Sequence, residues 1–386
     1  MLRIAQKTTN YYQAKGDISM HAVSLDIEEK NRRWNNIRRA IEKNGLDALL
    51  IVSDGHLERR GSIRYVTNGL AGTKLMWHYV LFPLKGEPIA LNVREGWVED
   101  RRTLPIRGGW VPESEHYGPA IAKIIQELNL EKGKIGIEGD FMPVPAYQKM
   151  VKELPEATFQ PSNIIHELKR IKSPAELQLV KRGVEVMDKA FEACLEYARP
   201  GRTWNDVTSH ICRTLYHWGA EDIGGYPLSR STKIIQSGDS YNFYPEFQAA
   251  GGYWIQMGRV ISFGEPSKEL REAWELNIKA QQRGAEKLRP GYTGGDVMRA
   301  INEALKGSKY TGAPRSSGHA IGLDVLEHPF ISLDDETVFE PNMVVSIHPV
   351  FFPPVPAFEA NADMFIVTEG APQKLSKFTP EIRIIR

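Results

Sequence analysis

One histidine stands among glycines in Gly318-His319-Ala320-Ile321-Gly322, and the same stretch runs on to Glu327, His328 and Pro329. Glycines leave room for a tight backbone that brings a side chain close to a ligand. Imidazole exchanges a proton near neutral pH and is a frequent metal ligand, so His319 is a candidate base or ligand. The plainer alternative is a histidine that caps a turn between strands. A further histidine, His348, closes the apolar run Met343-Val344-Val345-Ser346-Ile347. There the residues fit a hydrogen-bonded core histidine and a catalytic one equally well. Two imidazoles in one cleft can divide base and acid roles. His328, beside Pro329, reads as a loop residue.

The elements that must position these side chains are legible in the pattern. "RRWNNIRRAIEKNGLDALLIVS" reads as an amphipathic helix, a glycine stop at Gly45 and a buried strand from Ala48 to Val52. "HYVLFPLKGEPIALNV" reads as two strands around a Lys85-Gly86 turn. "GPAIAKIIQELNL" is a helix and "KIGIEG" the strand after it, an alternation that points to helices packed on a sheet. Ser173-Pro174-Ala175-Glu176 carries a cap, a first-turn proline and an acidic residue, so a new helix begins there. The domain boundary is placed just before it, giving residues 1–167 and 168–386.

Arg-Pro-Gly occurs at Arg199 and again at Arg289, each time after a long amphipathic helix and before another with Thr203 or Thr293 as cap. Two such copies predict a pseudo-symmetric, two-lobed domain. Strand-like stretches follow each helix pair: "TKIIQSGDSYNFYP" and "GYWIQMGRVISFG", then "MVVSIHPVFF" and "ADMFIVTEG".

Bulk properties narrow the function classes. With 386 residues, 41% hydrophobic and 25% charged, the chain has the make-up of an ordinary globular protein of two domains. Lys and Arg number 49 against 48 Asp and Glu, a balance that favours neither a nucleic-acid nor a membrane-surface partner. Cys194 and Cys212 lack Cys-x-x-Cys spacing, which argues against a disulfide framework or a zinc knuckle. No apolar run is long enough to span a bilayer and the first residues lack an apolar signal core, so a cytoplasmic protein is expected.

The segments "IKSPAELQLVKRG", "RPGRTWNDV", "IIQSGDSYNFYP", "GYWIQMGRVISFGEP", "GHAIGL", "EPNMVVSIHPVFF" and "ADMFIVTEG", in this order, resemble the creatinase, prolidase and methionine aminopeptidase family. The likeness extends more weakly to the first domain through "RRAIEKNGLDALLIV" and "IRYVTNG". The resemblance implies an α+β protein: a pita-bread carboxy-terminal domain with duplicated halves, preceded by a smaller α/β domain, and a homodimer. It also implies a cleft, with a neighbouring subunit able to offer Trp77, His78 and Tyr79, although strand core is the simpler role for these.

Metal-bearing members of the family bind two ions with two aspartates, a histidine and two glutamates. Carried over residue by residue, the first aspartate falls near Tyr244 to Glu246, with Glu246 the only nearby carboxylate. The second falls on Gln256, the histidine on His319, the first glutamate on His348 and the last on Ala362. Neutral glutamine and alanine cannot offset or bridge two divalent cations, so no metal cofactor is expected. A mononuclear site of His319, His348 and Glu246 is the alternative. Creatinase keeps the fold without metal, but "GGYPLSRSTK", with Tyr226, Pro227 and Arg230, offers no histidine where its base stands. Its guanidinium-binding glutamates have no counterpart either, which argues against creatine.

The expectation is therefore a metal-independent hydrolase or lyase acting on a C–N bond of a small polar substrate, anionic or carbonyl-bearing. His319, His348 and Tyr244 are the expected catalytic residues. Gln256, Glu246, Arg259 and Glu327 are the expected substrate-binding ones, and the glycine-rich "EFQAAGGYW" is expected to shape the mouth. The alternatives are a metal-dependent Xaa-Pro peptidase with a rearranged site and a non-catalytic binding module.

Overall fold

The computed structural model describes residues 25–53, 60–69, 76–104, 116–138, 142–224, 231–312, 316–352 and 361–386. Tyr226, Pro227 and Arg230 lie outside them. The first helix, α1 (Ile27–Lys43), ends at Asn44 with Gly45 at φ +64°, and the strand β1 (Ala48–Ser53) follows, buried throughout. Its alternation explains that burial. Leu49 and Ile51 pack with Trp34, Ile37 and Ile41 of α1, while Leu50 and Val52 pack with the helices of the other face. The strands β2 (His78–Pro83), β3 (Ile89–Leu91), β4 (Asp100–Arg102), β5 (Lys134–Glu138) and β6 (Thr158–Ser162) complete a sheet of order β4-β3-β2-β1-β5-β6. Gly86 takes the expected positive φ in the β2–β3 turn. Helix α2 (Gly61–Thr67) lies on the α1 side; α3 (Tyr117–Glu127) and α4 (Val144–Glu153) cover the other. Tyr79 is core of β2, and the His78 imidazole meets the Asn92 carbonyl at 2.8 Å.

The expected junction at 167/168 falls inside a helix, α5 (Ile164–Arg170), and the chain turns only before Ser173. A buried ion pair ties Lys169 of α5 to Asp324, and the Gly61 amide donates to the same carboxylate at 2.8 Å. The two regions are joined by packed, charged contacts and not by an exposed linker.

The second region opens with α6 (Pro174–Tyr197), capped reciprocally by Ser173 and Glu176. Then come α7 (Trp204–His217), α8 (Lys268–Ala285) and α9 (Gly294–Leu305). Thr203 and Asp206 form a capping box for α7; Thr293 and Asp296 form the same box for α9. Each threonine also bridges to an extended residue, Thr203 to Ile234 and Thr293 to Val338. The expected duplication is thus physical, repeated down to the turn and its β-bridge.

The strands between the helix pairs are β7 (Asp222–Gly224), β8 (Ser240–Phe243), β9 (Glu246–Gln248), β10 (Trp254–Gln256) and β11 (Arg259–Phe263). Those after them are β12 (Thr311–Gly312), β13 (Gly318–Ala320), β14 (Glu327–Phe330), β15 (Val344–Ile347), β16 (Phe351–Phe352), β17 (Asp363–Ile366), β18 (Gln373–Lys374) and β19 (Arg383–Ile385). They form sheets β10-β9-β7, β19-β11-β8, β12-β16 and β14-β13-β15-β17-β18. In the last, Ala320, Val345, Ile347 and Phe365 pack with α8 and α9. Alternation then sends His319 and Ser346, a register pair, to the opposite face. Helix α6 lies so close to β10 that a Cβ on Gly183 would come within 2.6 Å of Ile255.

Candidate active site

Four strands and one turn bring the candidate residues together. In the β9–β10 hairpin, Glu246 stands directly across from Gln256. The Gln256 Nε2 donates to Glu246 Oε1 at 2.6 Å and to the Tyr244 hydroxyl at 2.8 Å. The Tyr244 ring meets the His348 ring edge-on, centroids 6.5 Å apart. The His348 ring lies 5.0 Å from that of His319. Gln256, Tyr244, His348 and His319 therefore form one continuous row.

The backbone explains why they meet. Gly318 has φ +149°, and a Cβ there would lie 2.3 Å from the Ser346 carbonyl, so only glycine lets the His319 strand close on β15. His348 lies just beyond β15, on the same side as Ser346 by alternation. Its amide donates to the Ser317 carbonyl at 2.9 Å. On α8, Gln281 Nε2 donates to the Ile347 carbonyl at 2.9 Å and Asn277 Nδ2 to the Pro349 carbonyl at 2.7 Å. These amides grip the backbone on both sides of His348. Sequence reasoning missed them; their signal was a pair of carboxamides one helical turn apart on a face otherwise facing apolar strands.

Electrostatics keep both rings uncharged. Nδ1 of His319 meets the Ala320 carbonyl at 3.0 Å, which sets Nδ1–H as the donor and leaves Nε2 as an acceptor. Burial lowers its pKa from 6.5 to about 4, against the opposing pull of the Ala320 carbonyl and the Glu327 carboxylate. Burial lowers that of His348 to about 3, and the neighbouring His319 adds to the effect.

Arg259 and Glu327, expected to bind substrate, are each committed elsewhere. Arg259 is fully buried, pairs with Asp363 at 2.6 Å, and donates to the carbonyls of Ala362 and Phe378. Glu327 is buried, pairs with Lys172 at 2.7 Å and accepts the Asp324 amide at 3.2 Å. Arg259 faces the first residue of β17, and Glu327 acts on His319 as a nearby charge. His328 is exposed and faces Asp335 at 3.4 Å. The "EFQAAGGYW" loop is a tight 3₁₀ turn with Gly251 and Gly252 at positive φ. Its Gly251 amide donates to Glu221, which also holds Arg64 of α2 at 2.8 Å. Arg33 of α1 reaches both Glu176 and the Tyr253 hydroxyl at 2.9 Å. The first region thus braces the hairpin that carries Glu246 and Gln256.

The donor set does not suit a pair of metal ions. Its carboxylate, Glu246, is bound to a carboxamide; Ala362 has no donor; Asp363 is held by Arg259. Among the described residues no three His, Cys, Asp or Glu side chains converge where an ion could be held, so His319, His348 and Glu246 do not form the mononuclear alternative either.

Residues 33–171 match the Creatinase/Prolidase N-terminal domain, and residues 219–369 match Metallopeptidase family M24. The chain belongs to the creatinase/prolidase family of hydrolases, with the pita-bread fold. It is 26% identical to the creatinase of Bacillus sp. (strain B-0618), covering 93% of each chain. It is 27% identical to the Xaa-Pro dipeptidase of Pyrococcus furiosus over 67% of this chain and 78% of that one. Among solved structures it superposes on the X-Pro aminopeptidase from Thermotoga maritima with a TM-score of 0.76 at 18% identity, covering 91% of this chain and 99% of that one. Among the described residues no helix is long and apolar enough to cross a membrane.

Proposed function

We propose that this chain is a metal-independent hydrolase of a C–N bond in a small polar molecule, with His319 as the base. The observation that supports this reading is the row Gln256–Tyr244–His348–His319, in which a carboxamide stands where a metal-bridging carboxylate would be needed. Water attacks the carbon while His319 Nε2 takes its proton. The same proton passes to the departing nitrogen as the C–N bond breaks. The hydroxyl thus ends on carbon and the proton on nitrogen, with no net change in the ring. Because burial makes either imidazolium costly, the two transfers must be closely coupled. His348 orients the water or shares the proton, and Tyr244, Glu246 and Gln256 position the substrate. A division into two domains, a cytoplasmic location and a homodimer belong to the same proposal.

The second reading is a metal-dependent Xaa-Pro peptidase with a rearranged site, favoured by the Pyrococcus furiosus relative. Screening purified protein against amides, ureido compounds and Xaa-Pro dipeptides tests the first reading. Turnover lost in His319→Asn and reduced in His348→Asn is expected. Turnover that survives His319→Asn contradicts it, and tight ligand binding without turnover would make the chain a binding module.

A further inference from the structure

We infer that the cleft recognises its substrate through an uncharged N–H-bearing group of carboxamide or ureido type, and not through an ammonium, amidinium or guanidinium. The inference rests on the hydrolase reading and names what that site takes. It starts from the acceptors. The Gln256 side chain is only 3% exposed, and its Oε1 is buried with no hydrogen-bond partner. Its amide cannot be turned over to remedy this, because Nε2 donates to both Glu246 and Tyr244 and a flipped carbonyl would face the carboxylate. The buried Nε2 of His348 is likewise without a partner. His319 presents Nε2 as an acceptor because Nδ1 donates to Ala320. Buried acceptors without donors are costly, and a ligand carrying N–H groups relieves that cost.

Charge separates the candidate donors. Lys172 and Glu327 answer each other on one flank; on the other, Asp363 answers Arg259 and has Lys374 at 3.4 Å. Glu246 is the carboxylate in the row, and its Oε1 already accepts the Gln256 amide. The two rings are held neutral by burial, and a cation seated between them would meet the same loss of hydration. A neutral NH₂ group satisfies the acceptors without that loss. This refines the expectation of an anionic or carbonyl-bearing substrate: the carbonyl stays, and its amide hydrogens do the recognising.

A matched ligand pair tests the inference on the full-length protein. Benzamide and benzamidinium share shape and differ in charge. Their binding is read from the Cε1–H NMR resonances of His319 and His348, assigned with His319→Asn and His348→Asn. Benzamide should move both resonances and bind at least roughly tenfold more tightly than benzamidinium. Gln256→Glu, which adds a carboxylate at the same position, should reverse the preference. Equal or tighter binding of benzamidinium to the wild-type protein overturns the inference, and so does failure of both ligands to reach the two rings. The wild-type comparison stands even if Gln256→Glu does not fold. Benzamide preference without any C–N turnover would overturn the hydrolase reading alone, whereas turnover with benzamidinium preference would overturn this inference alone.

Discussion

The two halves of the second region share a scaffold and differ in what they send into the cleft. Thr203 with Asp206 and Thr293 with Asp296 build the same cap, after the same Arg-Pro-Gly turn, with a β-bridge at the same place. The first half then contributes a carboxylate and a carboxamide joined to each other on a hairpin. The second contributes two imidazoles pinned by glycine, by main-chain hydrogen bonds and by amides of α8. Capping and turn chemistry are imposed by the backbone and recur wherever the fold recurs. Cleft chemistry is not, and it has diverged between the halves.

The sharpest break in the comparison comes from the buried ion pair that anchors β17. Arg259→Met leaves buried Asp363 with Lys374 at 3.4 Å in place of its guanidinium, and denaturant unfolding should show a loss of about 3 kcal/mol. Removing one backbone grip on His348 is milder. Gln281→Leu leaves the Ile347 carbonyl without its side-chain donor, at about 1–3 kcal/mol, and should shift the His348 resonances while leaving α7 unaffected. If the scaffold really is duplicated, Thr203→Ala and Thr293→Ala should each cost about 1 kcal/mol, equal within error. A large difference between them would mean that the likeness stops at the turn.

The two histidines of the second half also carry a pH dependence. Both histidines have pKa values below their ordinary 6.5, so the unfolded chain binds protons that the folded one does not. Their contribution to stability is full above about pH 6.5 and is lost as pH falls toward about 4 for His319 and about 3 for His348. Each contributes at most about 1.4 kcal/mol per pH unit in that window. Thermal midpoints measured between pH 7 and 4 should fall less steeply for His319→Asn than for the wild-type chain.

Much of this was legible in the sequence, for identifiable reasons. The β1 strand, the Gly45 stop and the Ser173, Thr203 and Thr293 caps are local effects, written in a few adjacent residues. His319 was legible because Gly318 marks a close backbone approach. The fate of Arg259 and Glu327 was not. Whether a charge faces ligand or partner depends on Asp363 and Lys172, which lie far away in the chain. The role of Asn277 and Gln281 was hidden for the same reason: a carboxamide on a helix reveals nothing until the strand end it holds is known. His78 and Tyr79 went the simpler way, into β2, with Trp77 packed against the same core just before it.

The proposed metal independence rests on how little negative charge faces this cleft. Elemental analysis of the purified, active protein, repeated after chelation, tests it most directly. Far less than one equivalent of manganese, zinc, cobalt or iron is expected, with turnover unchanged by chelator. One or two equivalents per chain, with activity lost on chelation and regained on adding the metal back, would contradict it.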